Sequence, residues 1–143
     1  DKLAFGSYNK KIPDAKTSFD WLCRDEKVVD AYRKDDLCGF TFTVNGFKTL
    51  FELIARAKKR ENLLKIPKEL PVIFLSGEDD PVGDYGKGVK KAYQSLVDAG
   101  LADVEIKLYP QDRHELLGEP DRRKVMEDIE IWLTKHLAIR SEI

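Results

Sequence analysis

Asp80 and His114 are the residues of this chain whose types and settings speak most directly to chemistry. Asp80 lies in Leu70-Pro-Val-Ile-Phe-Leu-Ser-Gly-Glu-Asp-Asp-Pro-Val-Gly83, an apolar run that ends in a glycine and a carboxylate-rich turn. His114 follows in Gln111-Asp-Arg-His-Glu-Leu-Leu-Gly118. A carboxylate at the end of a strand can accept the Nδ1 hydrogen of a loop histidine and stabilise the imidazolium formed when that ring takes a proton from a nucleophile. Neutral imidazole is the side chain suited to taking and returning a proton near neutral pH, and the chain has only two histidines. Glu78 and Asp79 stand beside Asp80, and either could be the orienting carboxylate if the turn takes another shape; the position before Pro81 favours Asp80. A lone Asp-Pro read by itself is a turn aspartate capping local amides. His136, in the last turn of a helical pattern, reads as a cap on carbonyls there.

The nucleophile is the missing member. No Gly-x-Ser-x-Gly occurs, and no serine has the strand-to-helix elbow that exposes Oγ beside an oxyanion-hole amide. Ser76 comes closest, at the end of an apolar run, but it precedes the Asp80 turn; Ser7, Ser18, Ser95 and Ser141 have still less in their favour. Gly83-Asp-Tyr-Gly-Lys-Gly88 has neither phosphate-loop spacing nor Gly-x-Gly-x-x-Gly order, and reads as a loop leading into a helix. Cys23 and Cys38 form no Cys-x-x-Cys and have few histidines for company, so they read as reduced structural thiols. No metal or organic cofactor is expected.

The elements that must hold Asp80 and His114 follow from hydrophobic periodicity. Val72 to Leu75 is continuously apolar, as in a strand buried on both faces of a parallel sheet, and Gly77 is expected to let the backbone turn. Val89, Ala92, Tyr93, Leu96 and Val97 form a helical stripe, with Gly100 placed for a left-handed C-terminal cap. Val104, Ile106 and Leu108 alternate with Glu105, Lys107 and Tyr109, predicting a strand with one wetter side near a sheet edge, closed by Pro110. A last helix is predicted from about Pro120 and Asp121, with Val125, Ile129, Trp132 and Leu133 on one side, fraying past Leu137. Upstream, Phe47, Leu50, Phe51, Ile54 and Ala55 predict an amphipathic helix running to about Arg60, whose basic end suits a helix C-terminus. The residues before it read as irregular, with one short helix around Val28, Val29 and Tyr32 capped by Asp25. Strand, helix, strand, helix makes one βαβα unit. Its two parallel strands would leave a hydrogen-bonding edge and apolar face uncovered, so the unit reads as the end of a larger sheet and the chain as starting mid-protein.

Composition bounds the partners. The 143 residues suffice for one domain, with 42% hydrophobic and 10% aromatic content. Because 25 basic and 26 acidic residues nearly cancel, neither nucleic acid nor an anionic membrane surface is favoured. No apolar run approaches the ~20 residues of a membrane span, and Asp1-Lys2-Leu3 opens no signal-peptide layout; a soluble, cytoplasmic protein is the expectation.

Nearly the whole chain resembles the carboxyl-terminal half of the serine aminopeptidase, lysophospholipase and monoacylglycerol lipase group of α/β-hydrolases, in a bacterial-type version. Tyr8-Asn9, Thr17-Ser-Phe-Asp-Trp-Leu22, Arg24-Asp25, Asp36-Leu-Cys-Gly-Phe40 and Phe42-Thr43 resemble the end of that family's cap and the helix returning to its core. Ile66-Pro-Lys-Glu-Leu-Pro71, Ser76-Gly77, Asp80-Pro-Val-Gly83, Gly86-Lys-Gly-Val89, Arg113-His-Glu115, Asp128-Ile129 and Trp132-Leu133 resemble its last two strands and helices. The resemblance implies an α/β fold with an incomplete sheet, 1–62 being the end of the cap and the return helix and 63–143 the βαβα part of the core. It matches Asp80 to the triad acid and His114 to the triad base, and puts the serine and oxyanion hole before residue 1. The parent would hydrolyse carboxylic esters of lipid-like alcohols, and this chain would be inactive alone. Phe40, Phe42, Phe47 and Phe51 would then lie in or near the cap and acyl pocket, although core packing explains them equally well. The alternative is a non-enzymatic α/β interaction domain that self-associates through the exposed sheet edge.

Overall fold

The computed structural model describes residues 6–140. Asp1, Lys2, Leu3 and Ser141 lie outside the described residues. The first helix, α1 (Glu26–Lys34), starts where Asp25 accepts the Lys27 N–H, as its position predicts. The next, α2 (Val44–Ala57), begins earlier than the Phe47 stripe implies, because the Thr43 hydroxyl accepts the Gly46 N–H at 3.1 Å and nucleates the helix there. It also ends earlier. Lys58 and Lys59 fall past its end and Arg60 opens a separate turn, α3 (Arg60–Leu63), instead of forming α2's basic terminus. None of α2's residues is buried, and of its apolar stripe Phe47 and Leu50 are half-buried while Phe51 and Ile54 are exposed.

The sheet pairs β1 (Val72–Gly77) with β2 (Val104–Tyr109) in parallel, from Val72 opposite Val104 to Gly77 opposite Tyr109. Between them runs α4 (Lys87–Asp98), ended by Ala99 and by Gly100 at φ +91°, a left-handed conformation that favours glycine. Leu96, Ala99 and Leu101 are buried against Val72, Phe74 and Val104 on one face of the sheet, with Leu63 and Ile66 completing the cluster. The last helix, α5 (Arg122–Arg140), starts just after Pro120-Asp121 and remains helical beyond Leu137, where fraying was expected.

As expected, β2 lies at an edge of the two-stranded sheet, with the Glu105 and Lys107 side chains partly exposed. Its polar side is the side that meets α5: Lys107 pairs with Asp128 at 2.6 Å, Glu105 with Lys135 at 2.8 Å, and the Tyr109 hydroxyl donates to Asp128 at 2.9 Å. Alternation thus reports a charged seam between strand and helix, with Tyr109 itself buried. His136 lies about one turn before the end of α5, so in place of the expected cap on terminal carbonyls its Nδ1 faces the Trp132 carbonyl inside the helix at 2.7 Å, and its Nε2 reaches Asp103 at 2.8 Å.

Residues read as irregular from sequence organise a second core. Ile12, Trp21, Leu22, Cys23 and Val29 are buried together, with Tyr8, Phe19, Val28 and Tyr32 packed against them. Cys23 is a free thiol whose pKa burial pushes up to about 11.

Candidate active site

Asp80 and His114 meet where the two strands end. After the last ladder position the pairing continues, the Glu78 N–H donating to the Tyr109 carbonyl and the Asp79 N–H to the Asp112 carbonyl, both at 2.9 Å. The acid's turn is thereby stitched to the histidine's loop. Gly77 permits this by having no side chain: a Cβ there would stand 2.0 Å from the Asp112 carbonyl oxygen. Close approach of two backbones, more than freedom to turn, explains the glycine.

The turn selects among the neighbouring carboxylates. Glu78 and Asp79 are exposed, whereas Asp80 is buried. Its Oδ1 accepts the Val82 N–H at 2.8 Å, and its carbonyl accepts the Tyr85 N–H at 2.9 Å. That leaves Oδ2 to face His114 Nδ1 at 3.1 Å. A carboxylate only accepts, so Nδ1 carries the hydrogen and the lone pair of the neutral ring lies on Nε2, which makes no hydrogen bond among the described residues. The hydrogen bond to Asp80 raises the His114 pKa above its ordinary value; burial opposes this, and the charges of Asp80 and Glu115 add to it.

The sequence reading missed what surrounds this pair. Trp21 packs its ring 5.4 Å from the imidazole, Tyr8 meets Trp21 edge-on at 5.0 Å, and the Tyr8 pKa is raised by burial and by the charge of Asp80. The Lys11 ammonium stands 4.0 Å from the centre of the Tyr85 ring. Trp21 also lines a groove of about 560 Å³, together with Phe19, Tyr32, Leu37, Phe40 and Phe42. Phe40, Phe42, Phe47 and Phe51 form a run of ring contacts at 5.5, 5.5 and 6.1 Å. Behind the histidine loop, Arg24 pairs with Asp112, with Glu119 at 2.8 Å and with Asp121 at 2.5 Å. In sequence, Arg24 entered only as part of the Arg24-Asp25 resemblance, and no periodicity could have connected it to residues so far downstream.

Ser76 is buried, and its hydroxyl donates to the Gly77 carbonyl at 3.2 Å. The Ser95 hydroxyl donates to the Lys91 carbonyl within α4. Two groups bring three possible metal-ligand atoms within 4.8 Å of one another: Asp103, Glu105 and His136, and Asp112, Glu119 and Asp121. Protein cations already serve both, Lys135 on Glu105 and Arg24 on the second set.

A family model described as "Serine aminopeptidase, S33" matches residues 2–121. The chain belongs to this family. Among S33-like relatives, a monoglyceride lipase of Saccharomyces cerevisiae is 42% identical over 72 residues, covering 48% of this chain and 22% of that protein. A monoacylglycerol lipase of Mycolicibacterium smegmatis is 28% identical over 131 residues, covering 88% of this chain and 42% of the relative. The chain therefore spans less than half the length of the curated relatives it matches. Solved structures agree on the fold. A thermostable carboxyl esterase from Bacillus coagulans in complex with glycerol superposes with a TM-score of 0.78 at 28% identity, covering 94% of this chain and 44% of that one. A lipase in open form gives 0.80 at 27% identity, covering 96% and 44%. This S33 chain thus carries part of an α/β-hydrolase fold, and the relatives and solved structures named above are lipases and an esterase.

Proposed function

We propose that the chain supplies the acid and the base of a serine esterase acting on lipid-like carboxylic esters, with Asp80 orienting His114 and His114 Nε2 taking the proton of a serine that lies outside these residues. The observation that carries this reading is the pairing of Asp80 Oδ2 with His114 Nδ1 at 3.1 Å at the carboxyl ends of the strands, the end where α/β folds place their sites. The second Nε2 edge stays open for a nucleophile. In such a site His114, neutral, removes the serine proton as the hydroxyl attacks the ester carbonyl, and returns that proton to the leaving alcohol. Asp80 holds the tautomer and offsets the positive charge that His114 carries between those steps.

The apolar groove beside Trp21 supports an apolar acyl or alcohol chain, and monoacylglycerols are the substrate class suggested by the names of the S. cerevisiae and M. smegmatis relatives. Residues 1–62 then act as the end of a cap with its return helix, and 63–143 as the core portion. Without the serine and an oxyanion hole the chain alone is inactive. Its partner is the remainder of the hydrolase fold, seated on the open strand edge. The free thiols of Cys23 and Cys38 favour a reducing, cytoplasmic setting. Among the described residues no helix is long and apolar enough to cross a membrane.

Complementing the chain with the amino-terminal half of a relative tests the reading. Ester turnover should appear, and Asp80→Asn or His114→Ala should lower it by about 10³-fold or more. Turnover that survives both substitutions largely intact contradicts the assignment. A second reading draws on the unpaired strand edges, which could equally bind a second copy of the chain. It predicts a monodisperse dimer of high thermal stability that gains no activity from an added half.

A further inference from the structure

We propose that Arg24 and Glu119 are positioning residues for His114: their buried ion pair fixes the backbone on the side of the histidine away from Asp80, keeping Nδ1 on the carboxylate. The inference rests on the acid and base roles proposed for Asp80 and His114, and concerns what keeps the two in register.

Glu119 has no exposed surface. Its Oε1 accepts the Arg113 N–H at 2.8 Å, the amide directly before His114, and its Oε2 accepts Arg24 Nε at 2.8 Å. Both oxygens also lie 3.3 Å from the Arg24 N–H. One carboxylate thus gathers donors from two segments distant in sequence. The Arg24 guanidinium reaches further, to Asp112 and Asp121. Arg113 returns the connection by donating to the carbonyls of Asp20 at 2.7 Å and Cys23 at 3.1 Å. The His114 N–H donates to the Trp21 carbonyl at 3.4 Å and the Glu115 N–H to that of Leu22 at 2.7 Å. Across the loop, the Asp112 carbonyl accepts the Asp79 N–H, so any slip of 112–115 is felt in the turn that carries Asp80.

A buried ion pair is a weak source of stability, since apolar residues of similar volume often serve as well. What apolar contact does not supply is direction. Three donors aimed at one carboxylate fix the path of the chain on either side of His114, and a planar guanidinium fork does this with little freedom left over. No contact joins Arg24 or Glu119 to the imidazole itself among the described residues, so both act through the backbone.

The chain has only two histidines, and His136 is anchored on Trp132 and Asp103 at the opposite end of the sheet. Nitrogen-resolved NMR of the imidazoles in the full chain therefore reads His114 with His136 as an internal control. The charged groups acting on His114 are Asp80 and Glu115. In the unaltered chain the His114 Nδ1 proton should be visible and slow to exchange. In Glu119→Gln, and independently in Arg24→Lys, that signal should be lost to exchange and the His114 midpoint should fall, with His136 unmoved. Unchanged His114 signals in either folded variant overturn the proposal. So do equal changes at both histidines, which would mean general loosening, and so does unfolding of both variants, which would make the pair a folding requirement only. Ester turnover is not read, so a failure of the esterase reading would show separately in the complementation assay.

Discussion

At the scale of residues, the site depends on two features that are opposite in kind: a contact made and a side chain left out. The contact is Asp80 to His114; the omission is at Gly77, against which the Asp112 carbonyl lies. Gly77→Ala would force apart the strand end and the histidine loop, and should cost about 3 kcal/mol or more in a denaturant melt. A melt within 1 kcal/mol of the parent, as an estimate of the limit for a tolerated swap, would show that the two backbones can separate cheaply. The raised His114 pKa gives a pH prediction with a definite sign. In the base role proposed for it His114 must be neutral, so turnover in the complemented protein should rise with pH through a midpoint above the ordinary histidine value of 6.5. Its contribution to stability runs the other way, full below the unfolded value and lost as pH rises through the folded one. Asp112 shows a related effect. Burial, with the charges of Asp121 and Glu119, raises its pKa from 3.8 to about 6 against the pull of Arg24, and its buried Oδ2 has no hydrogen-bond partner among the described residues. Its ionisation therefore destabilises the fold as pH rises through about 6. Asp112→Asn should melt higher than the parent at pH 8 and lose that advantage by about pH 3, since below both pKa values the parent carries the proton in either state. A constant difference across that range would contradict the assignment.

At the scale of elements, the strands and helices around the site were legible because their periodicity is local. The Val72 strand, the Val89 stripe ended by Gly100 and the Val104 alternation all appear where they were expected. What was not legible depends on partners distant in sequence. The Glu105 and Lys107 side of β2 read as the wetter one and is partly exposed, but its paired charges with α5 are something no single-strand pattern reveals. The Trp21 wall and the Arg24 cluster were likewise hidden, because residues 6–25 lack periodicity and gain their order from the histidine loop they pack against. The pairing was more legible than this scaffold: a turn carboxylate and a loop histidine are scarce residue types in recognisable settings, and it is Asp80, beside the exposed Glu78 and Asp79, that is buried against His114. The start of α2 was missed for a smaller reason, a Thr43 cap placed ahead of the first apolar residue of the stripe. Thr43→Ala should destabilise α2 by about 1 kcal/mol. Because α2 buries none of its residues, helical ellipticity should fall while the His114 ring signals stay unchanged. Movement of those signals would show that α2 is coupled to the site.

At the scale of the whole molecule, the described surface suits a piece of a larger hydrolase. The sheet has two strands, and Leu37, Val44, Phe51, Leu53 and Ile131 are among the large apolar side chains left exposed. S33 relatives and solved α/β-hydrolases are more than twice the length that this chain covers. The central claim is that Asp80 and His114 serve a serine that these 143 residues do not provide. The most direct test is labelling with a fluorophosphonate serine probe, read by intact mass, on the chain alone and on the chain complemented with a relative's amino-terminal half. The chain should remain unmodified throughout, and the added half should gain one adduct whose formation slows sharply in His114→Ala. An adduct on a serine of this chain, or labelling of the added half at the same rate without His114, would contradict the account.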